Sequence, residues 1–356
     1  MHNQVRKCTN ELLVSVNMIT YNHEKHIAQA IKGVVLQQTN FRFELVVGED
    51  FSTDSTAAIV KEYAHEYPHI VKAICNDINL GMHINGLNTV LECKGKYIAL
   101  CEGDDYWIDP DKLQMQYDFL EANPDYFMCH HRYLLESTTG LSLSPKVKET
   151  TTIDDLARNN HIGTLTCMFR NQIYAGIPDW ITKAHMGDYP LFMHLARFGK
   201  IKFFDKPMAV YRVHPGGAWN SLRAEEKIRK EIEAKELMIS QGNFSDEIQG
   251  ILRDSVIEKK LYLLRSGFTR GISENLELLK KDLVDSYSKR VLAEHLILSQ
   301  KFIVETESRN NATIPATAKR LFLYAFRQLT FKKQLTKMKL RIMLIRLRYR
   351  AGRLKI

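Results

Sequence analysis

Residues Gly95–Trp107 read GKYIALCEGDDYW. Lys94-Gly95-Lys96 is turn chemistry, and Tyr97–Leu100 is a short continuous apolar run. A run of that length with such a boundary reads as a strand buried on both faces. Directly after it, Glu102, Asp104 and Asp105 fall within four positions. Carboxylates that close repel one another, so a cluster at the end of a buried strand implies a positive partner.

Working outward, the same pattern repeats upstream. Leu12–Ile19 (LLVSVNMI) is a buried strand broken by Thr20-Tyr21-Asn22. Ile27, Ala30, Ile31, Val34 and Val35 recur at helical spacing and predict a helix from His23 to about Gln38. Phe43–Gly48 predicts a second strand, followed by the polar loop Glu49-Asp50-Phe51-Ser52-Thr53-Asp54 and a helix over 55–67. Ile70–Ile74 predicts a third strand, Asn76–Gly81 a turn, and the residues up to Cys93 a helix. This βαβαβαβ order predicts an α/β fold, Rossmann-like, with an open, mostly parallel sheet and flanking helices. Ligands of such sheets bind beyond the carboxyl ends of the strands. The three polar clusters stand at those ends, so loops distant in sequence are expected to meet at one site.

Downstream, Asp109-Pro110-Asp111 opens a helix that Asn123-Pro124 ends, with Asp109 as a candidate cap. Residues 137–152 read as a Ser/Thr-rich loop. Gly187-Asp188-Tyr189-Pro190 opens another helix, with Leu191, Phe192 and Leu195 inward and Gly199 ending it. Ile201–Phe204 and Met208–Val213 read as strands, and His214-Pro215-Gly216-Gly217 as a turn. From about Ser221 the pattern turns helical. A boundary near Asn220 therefore divides 1–220 from a C-terminal α-helical region, 221–356.

The chain has 356 residues and no apolar run long enough to span a bilayer. Its N-terminal stretch has no apolar core of the secretory kind. The six cysteines show no metal-like spacing and are expected to be reduced thiols of a cytoplasmic protein. The net charge of +9 is unevenly spread: residues 308–356 hold 14 Lys plus Arg and no acid, whereas the other 307 residues carry 36 basic and 41 acidic groups. Such segregation points to an anionic surface as the tail's partner.

A divalent cation holding a diphosphate would make the acidic cluster tolerable, since Mg²⁺ or Mn²⁺ takes carboxylate and phosphate oxygens. The bland alternative is a solvated turn that caps the helix at Pro110, for which Asp109 alone suffices. Asp188 reads either as a carboxylate base or as a charge that favours a helix start. His214 reads either as a ligand or as a structural histidine.

TYN after strand one, ED-x-STD after strand two, N-x-G before a helix, GKYIALCEGDDYW, GDYP and YRVHPGG occur here in order. Over roughly residues 10–220 this set resembles the family 2 glycosyltransferases of the GT-A fold, those building bacterial envelope polysaccharides in particular. The resemblance implies that the acidic cluster is a variant DXD motif, with Glu102 in place of the usual first Asp. It implies Asp104, Asp105 and His214 as metal ligands. It implies a donor-nucleotide pocket of Thr20, Tyr21, Asn22, Asp50, Asn79, Gly81, Glu102, Gly103 and Asp104, with Asp50 accepting from the base and Tyr21 offering a ring face. Met82-His83-Ile84-Asn85 lacks the arginine that many relatives place there. Arg212 is the candidate for contact with the leaving diphosphate. Asp188 matches the family's general base, with Gly187 where many relatives have Glu.

The implied reaction is an inverting, metal-assisted single displacement from a UDP-sugar donor, a UDP-hexose by default, to a glycan or lipid-linked acceptor. Residues 316–356 mix apolar and basic positions and predict amphipathic helices on an anionic membrane surface, which would place the protein peripherally on the inner face of the cell membrane. A helical appendage packed on the main domain, or a homodimer contact, reads the same residues without a membrane. No nucleic-acid module accompanies the charge, so nucleic acid is not expected as a partner. A nucleotidyltransferase would carry a Gly-rich phosphate loop after strand one, which TYNHEKH is not. A catalytically silent binding subunit or a membrane-associated scaffold remains the alternative.

Overall fold

The computed structural model describes residues 9–172, 176–184 and 186–265. The tail at 316–356 and the helical pattern expected beyond 265 lie outside the described residues, as does Cys8. In chain order the elements are β1 (Thr9–Thr20), α1 (Ile27–Val35), β2 (Phe41–Glu49), α2 (Thr56–Glu66), β3 (Val71–Cys75), α3 (Met82–Leu91), β4 (Tyr97–Leu100), β5 (Tyr106–Trp107) and α4 (Lys112–Ala122). Then follow β6 (Tyr126–Ser137), β7 (Gly140–Leu143), β8 (Thr150–Thr151), α5 (Ile153–Arg158), a 3-10 turn (Thr164–Thr166), β9 (Met168–Arg170), α6 (Asp179–Thr182), α7 (Asp188–Leu195), β10 (Lys200–Arg212), α8 (Ala224–Gln241) and α9 (Asp246–Arg265).

One sheet runs in the order β3-β2-β1-β4-β9-β6-β10-β5, with β7 on β6 and β8 on β10. The first four strands are mutually parallel, β9 is antiparallel to both neighbours, and β10 is again parallel to β6. The carboxyl ends of β1, β2, β4 and β10 therefore lie at one edge. Alternate residues of a strand face opposite sides, and two cores result. Val46, Ile98 and Leu100 face one of them, which α7 and α8 cover. Leu45, Val47, Tyr97 and Ala99 face the other, closed by α1 and α4.

The βαβαβαβ half follows the sequence pattern closely. All five apolar stripe positions of α1 are buried. The helix starts at Ile27 rather than His23 because His23–His26 form a turn, the His23 carbonyl accepting from the N–H groups of His26 and Ile27. The second half departs from it. Residues 126–137 form a long strand that hairpins into β7, so most of the expected 137–152 loop is strand-flanked. The two strands expected at 201–204 and 208–213 are one strand, β10, whose register with β6 shifts around Pro207.

Compact packing also continues past Asn220. Residues up to Lys259 belong to one unit, and Ala234, Met238, Phe244, Ile248 and Leu252 lie in the same core as Phe169 and Phe192. Lys235 reaches from α8 to the end of α5, donating to the carbonyls of Ala157 and Arg158 at 2.7 and 3.1 Å. Among the described residues the cysteines are all free thiols, and no helix is long and apolar enough to cross a membrane.

Candidate active site

The acidic loop extends the ladder of β1. Cys101 N–H donates to the Asn17 carbonyl at 3.1 Å and Gly103 N–H to that of Ile19 at 3.0 Å. This draws Gly103 so close to β1 that an added Cβ would stand 2.6 Å from Thr20 Oγ1 and 3.1 Å from His23 Nδ1. The glycine of EGDD is thus required by proximity, not by its backbone angles.

Beyond it the two aspartates diverge. Asp105 is buried; its Oδ1 accepts from the Arg212 backbone N–H at 2.8 Å, while Oδ2 is buried with no hydrogen-bond partner. Asp104 Oδ2 faces two imidazoles, His214 Nε2 at 3.2 Å and His23 Nε2 at 3.8 Å. The His26 ring lies 4.9 Å from that of His214, centroid to centroid. Burial lowers the pKa of both His23 and His26. Their neutral form is thereby favoured, leaving ring lone pairs available.

The partly buried Glu102 shares this neighbourhood. Burial first, then the charges of Asp105, Asp104 and Asp188, push its carboxyl well above the usual range. Asp105 is raised well above its range too, by burial and by Asp104. Asp188, on the first turn of α7, thus lies close enough to the acidic loop to act on Glu102. Its Oδ2 accepts from Thr164 Oγ1 at 2.9 Å and its Oδ1 from the Tyr189 N–H at 2.7 Å. Burial raises its pKa, and these two donors with His83 pull it back. His83, from the first turn of α3, lies where an added Gly187 Cβ would come within 3.2 Å of its Nδ1.

Two residues expected to touch the donor have partners inside the chain. The Arg212 guanidinium, expected on a diphosphate, is buried and occupied internally. It donates to the Asp104 carbonyl at 2.6 Å and to Gln29 Oε1 at 2.5 Å, with Glu136 at 3.4 Å and the Tyr106 ring beneath it at 4.2 Å. It clamps the acidic loop from inside. Asp50, expected to face the base, is also buried. Its Oδ1 accepts from Asn76 Nδ2 at 3.0 Å and from the Leu80 N–H at 2.9 Å, its Oδ2 from the Gly81 N–H at 2.8 Å, and its carbonyl from Asn79 Nδ2 at 3.0 Å. The carboxylate fixes the Asn76–Gly81 turn, where Gly81 takes φ +81°.

Asn22 is likewise a tie between loops. It has φ +55°, and its Oδ1 accepts from the Thr53 N–H at 2.8 Å. Tyr21 and Thr20 stand beside these loops, Tyr21 exposed and Thr20 buried. Trp107 is core, as Trp180 is.

Sequence reasoning missed His23, His26 and Thr164. The histidines had a signal, NHEKH directly after β1, at a spacing that puts both rings on one side of a turn. Among the described residues no three His, Cys, Asp or Glu side chains form a ready-made metal cage. The residues nevertheless fit a cation, because a buried carboxylate oxygen without a partner stands beside a second carboxylate that faces two imidazoles.

Residues 15–175 match the model of glycosyl transferase family 2. WfgD of Escherichia coli, named UDP-Glc:alpha-D-GlcNAc-diphosphoundecaprenol beta-1,3-glucosyltransferase, is 30% identical over 194 residues, 54% of this chain and 72% of WfgD. The chain belongs to glycosyl transferase family 2. Another relative in this comparison, protein Rv1520 of Mycobacterium tuberculosis, is 35% identical over 219 residues, 60% of this chain. The match spans 62% of the length of that relative. The solved structure of residues 1-349 of S. aureus TarS with UDP-GlcNAc superposes with a TM-score of 0.61 at 17% identity, covering 89% of this chain and 90% of that TarS fragment. That likeness shows the GT-A fold expected of the family. The mannosyltransferase PcManGT of Pyrobaculum calidifontis, solved with GDP-Man and Mn²⁺, superposes at a TM-score of 0.51 and 15% identity, covering 92% of this chain and 90% of PcManGT.

Proposed function

We propose that the chain is an inverting glycosyltransferase that moves a hexose from a UDP-sugar to a hydroxyl of a glycan or lipid-linked acceptor by single displacement. The observation that carries this reading is the nearness of Asp188 to the acidic loop, where it acts on Glu102, in a family 2 frame. The acidic loop brings its unpartnered Asp105 oxygen, and the first turn of α7 brings Asp188. The sugar specificity of WfgD and the UDP-GlcNAc in TarS support a UDP-hexose donor.

Asp188 takes the proton of the acceptor hydroxyl as that oxygen attacks the anomeric carbon. One carboxylate within hydrogen-bond reach suffices for this step. A divalent cation, Mg²⁺ or Mn²⁺, would be held by Asp104, Asp105 and His214 and, when bound, supplies positive charge against the leaving diphosphate. Arg212 and Gly103 hold the acidic loop rigid against β1. Asp50 sets the Asn79–Gly81 turn, and Tyr21 offers its exposed ring to the base. Positioning on fixed loops, rather than covalent chemistry, supplies most of the acceleration. The basic tail at 316–356 is proposed to rest on an anionic membrane, where a lipid-linked acceptor resides; co-flotation with anionic vesicles that survives deletion of 316–356 would refute this.

The test uses calorimetric binding of UDP-sugars with Mn²⁺, followed by transfer assays. Asp104→Ala is expected to lose metal-dependent donor binding. Asp188→Ala is expected to keep donor binding and lose transfer, by about 100-fold or more. Wild-type turnover in the Asp188 variant removes the base assignment.

A further inference from the structure

We propose that Thr164 is the positioning residue of the base: its hydroxyl, on a turn pinned from the acidic-loop side by Trp107, aims Asp188 at the acceptor. This rests on Asp188 being the base and goes beyond it in naming what holds that carboxylate.

The geometry is as follows. A carboxylate on the first turn of a helix can swing about its own side-chain bonds. Asp188 is held at both oxygens instead, Oδ1 by the Tyr189 N–H at 2.7 Å and Oδ2 by Thr164 Oγ1 at 2.9 Å. The first donor belongs to the same helix, whereas Thr164 ties Asp188 to the turn before β9 and so to the sheet.

The turn that carries Thr164 is itself tied on several sides. Thr166 donates its N–H and its hydroxyl to the Gly163 carbonyl at 3.0 and 2.6 Å, and Cys167 N–H reaches the Thr164 carbonyl at 3.2 Å. The Trp107 indole N–H donates to the Leu165 carbonyl at 2.9 Å, and Gln116 Nε2 to that of Thr166 at 2.9 Å. Leu100 N–H, at the end of β4, donates to the Cys167 carbonyl at 3.1 Å. Gly163 packs against Tyr133 so closely that an added Cβ would stand 2.9 Å from ring carbon Cε1. Trp107 closes the sequence CEGDDYW, so the segment bearing the acidic cluster also anchors the turn that orients the base. Both halves of the site are thereby referenced to one strand end.

The hydroxyl also matters for charge. Asp188 is faced by Glu102 from the acidic loop, by His83 from α3, by Cys167 after the turn and by the Tyr189 N–H. Burial opposes its ionised form. A donor aimed at Oδ2 favours that form, and only the carboxylate can accept a proton.

The experiment measures kcat and kcat/KM against pH, together with donor binding, for Thr164→Val, Thr164→Ala and Thr164→Ser in the full chain, beside Asp188→Asn. Thr164→Val and Thr164→Ala are expected to lower kcat about tenfold, as loss of one hydrogen bond to a charged group would, with donor affinity unchanged. Their acid limb is expected to move up by about one pH unit. Thr164→Ser, which restores the hydroxyl, is expected to recover both. If Val fails to fold, the Ala and Ser pair decides: equal kcat and equal acid limbs in the two overturn the proposal. Loss of donor binding in step with kcat also overturns it, since that marks a scaffold role. Asp188→Asn with wild-type turnover overturns the base reading itself, an outcome separate from the others.

Discussion

Replacing Gly103 by alanine tests whether the acidic loop works by being held against β1. The methyl group would stand 2.6 Å from Thr20 Oγ1, 2.7 Å from Thr20 Cβ and 3.1 Å from His23 Nδ1. Carbon contacts sit near 3.5–4.0 Å, so the two segments must part by about 1 Å. That displacement stretches the Gly103 N–H bond to the Ile19 carbonyl, 3.0 Å at present, beyond hydrogen-bond range. Overpacking of this kind costs about 1–3 kcal/mol, a fall in Tm of roughly 2–10 °C for a chain of this size. Turnover is expected to suffer more, because a misplacement of about 1 Å can cost on the order of 100-fold. Thermal unfolding, donor titration and steady-state transfer measure the three quantities. A rescue series sharpens the result. Thr20→Ala leaves the Cβ that clashes and should not restore Gly103→Ala, whereas Thr20→Gly removes it and should recover much of the donor affinity. A Gly103→Ala protein with unchanged Tm, donor affinity and turnover refutes the reasoning, and rescue by Thr20→Ala as complete as by Thr20→Gly refutes its steric part.

Two further outcomes concern charge. Burial raises the Asp188 pKa from 3.8, so the folded chain keeps a proton that the unfolded chain releases, and stability falls as pH rises through that window; Asp188→Asn should therefore melt higher than wild type at pH 8 while losing transfer, the gap closing toward pH 4, and equal melting at both pH values would contradict this. Burial lowers the His130 pKa from 6.5 to about 3, so the unfolded chain takes up a proton that the folded chain refuses. Stability should fall by about 2 kcal/mol between pH 7 and pH 5 from this residue alone, and His130→Leu should flatten the slope of urea midpoint against pH; an unchanged slope rules the residue out.

The parallel half of the fold was legible because each strand and helix carries its own apolar pattern. Ile27, Ala30, Ile31, Val34 and Val35 all point where their spacing says. The strand β6 was not legible, because its centre, Cys129-His130-His131-Arg132, is polar in composition. Both histidines are buried, with their Nε2 atoms unpartnered. The convergence of three loops could be read from topology alone, since the carboxyl ends of parallel strands lie together. What each side chain does there could not be read. The resemblance put Asp50 on the base and the motif YRVHPGG put Arg212 on the diphosphate; neither pattern encodes the main-chain and side-chain partners that other segments supply to both. Arg212 meets Gln29 across 183 positions of sequence, a pairing no local pattern encodes. Thr164 escaped notice for the same reason: its hydroxyl matters only through Asp188, which arrives from another element.

The side-chain uses at this site bear on why the acidic cluster persists. The fold had a cation to hand in Arg212, one residue type suited to bidentate carboxylate pairing. It spends that guanidinium on the Asp104 carbonyl, Gln29 and Glu136, and gives Asp105 only a backbone N–H. Had the loop been built for stability alone, pairing Arg212 with the Asp105 or Asp104 carboxylate would offset the cost of burying them. Instead the arginine fixes the loop's main chain, while Glu102 and Asp105 stay raised in pKa and Asp104 faces two imidazoles. Such an arrangement keeps the loop rigid and its carboxylate oxygens free of an internal cation, which is the state a site needs if its positive partner comes from solution.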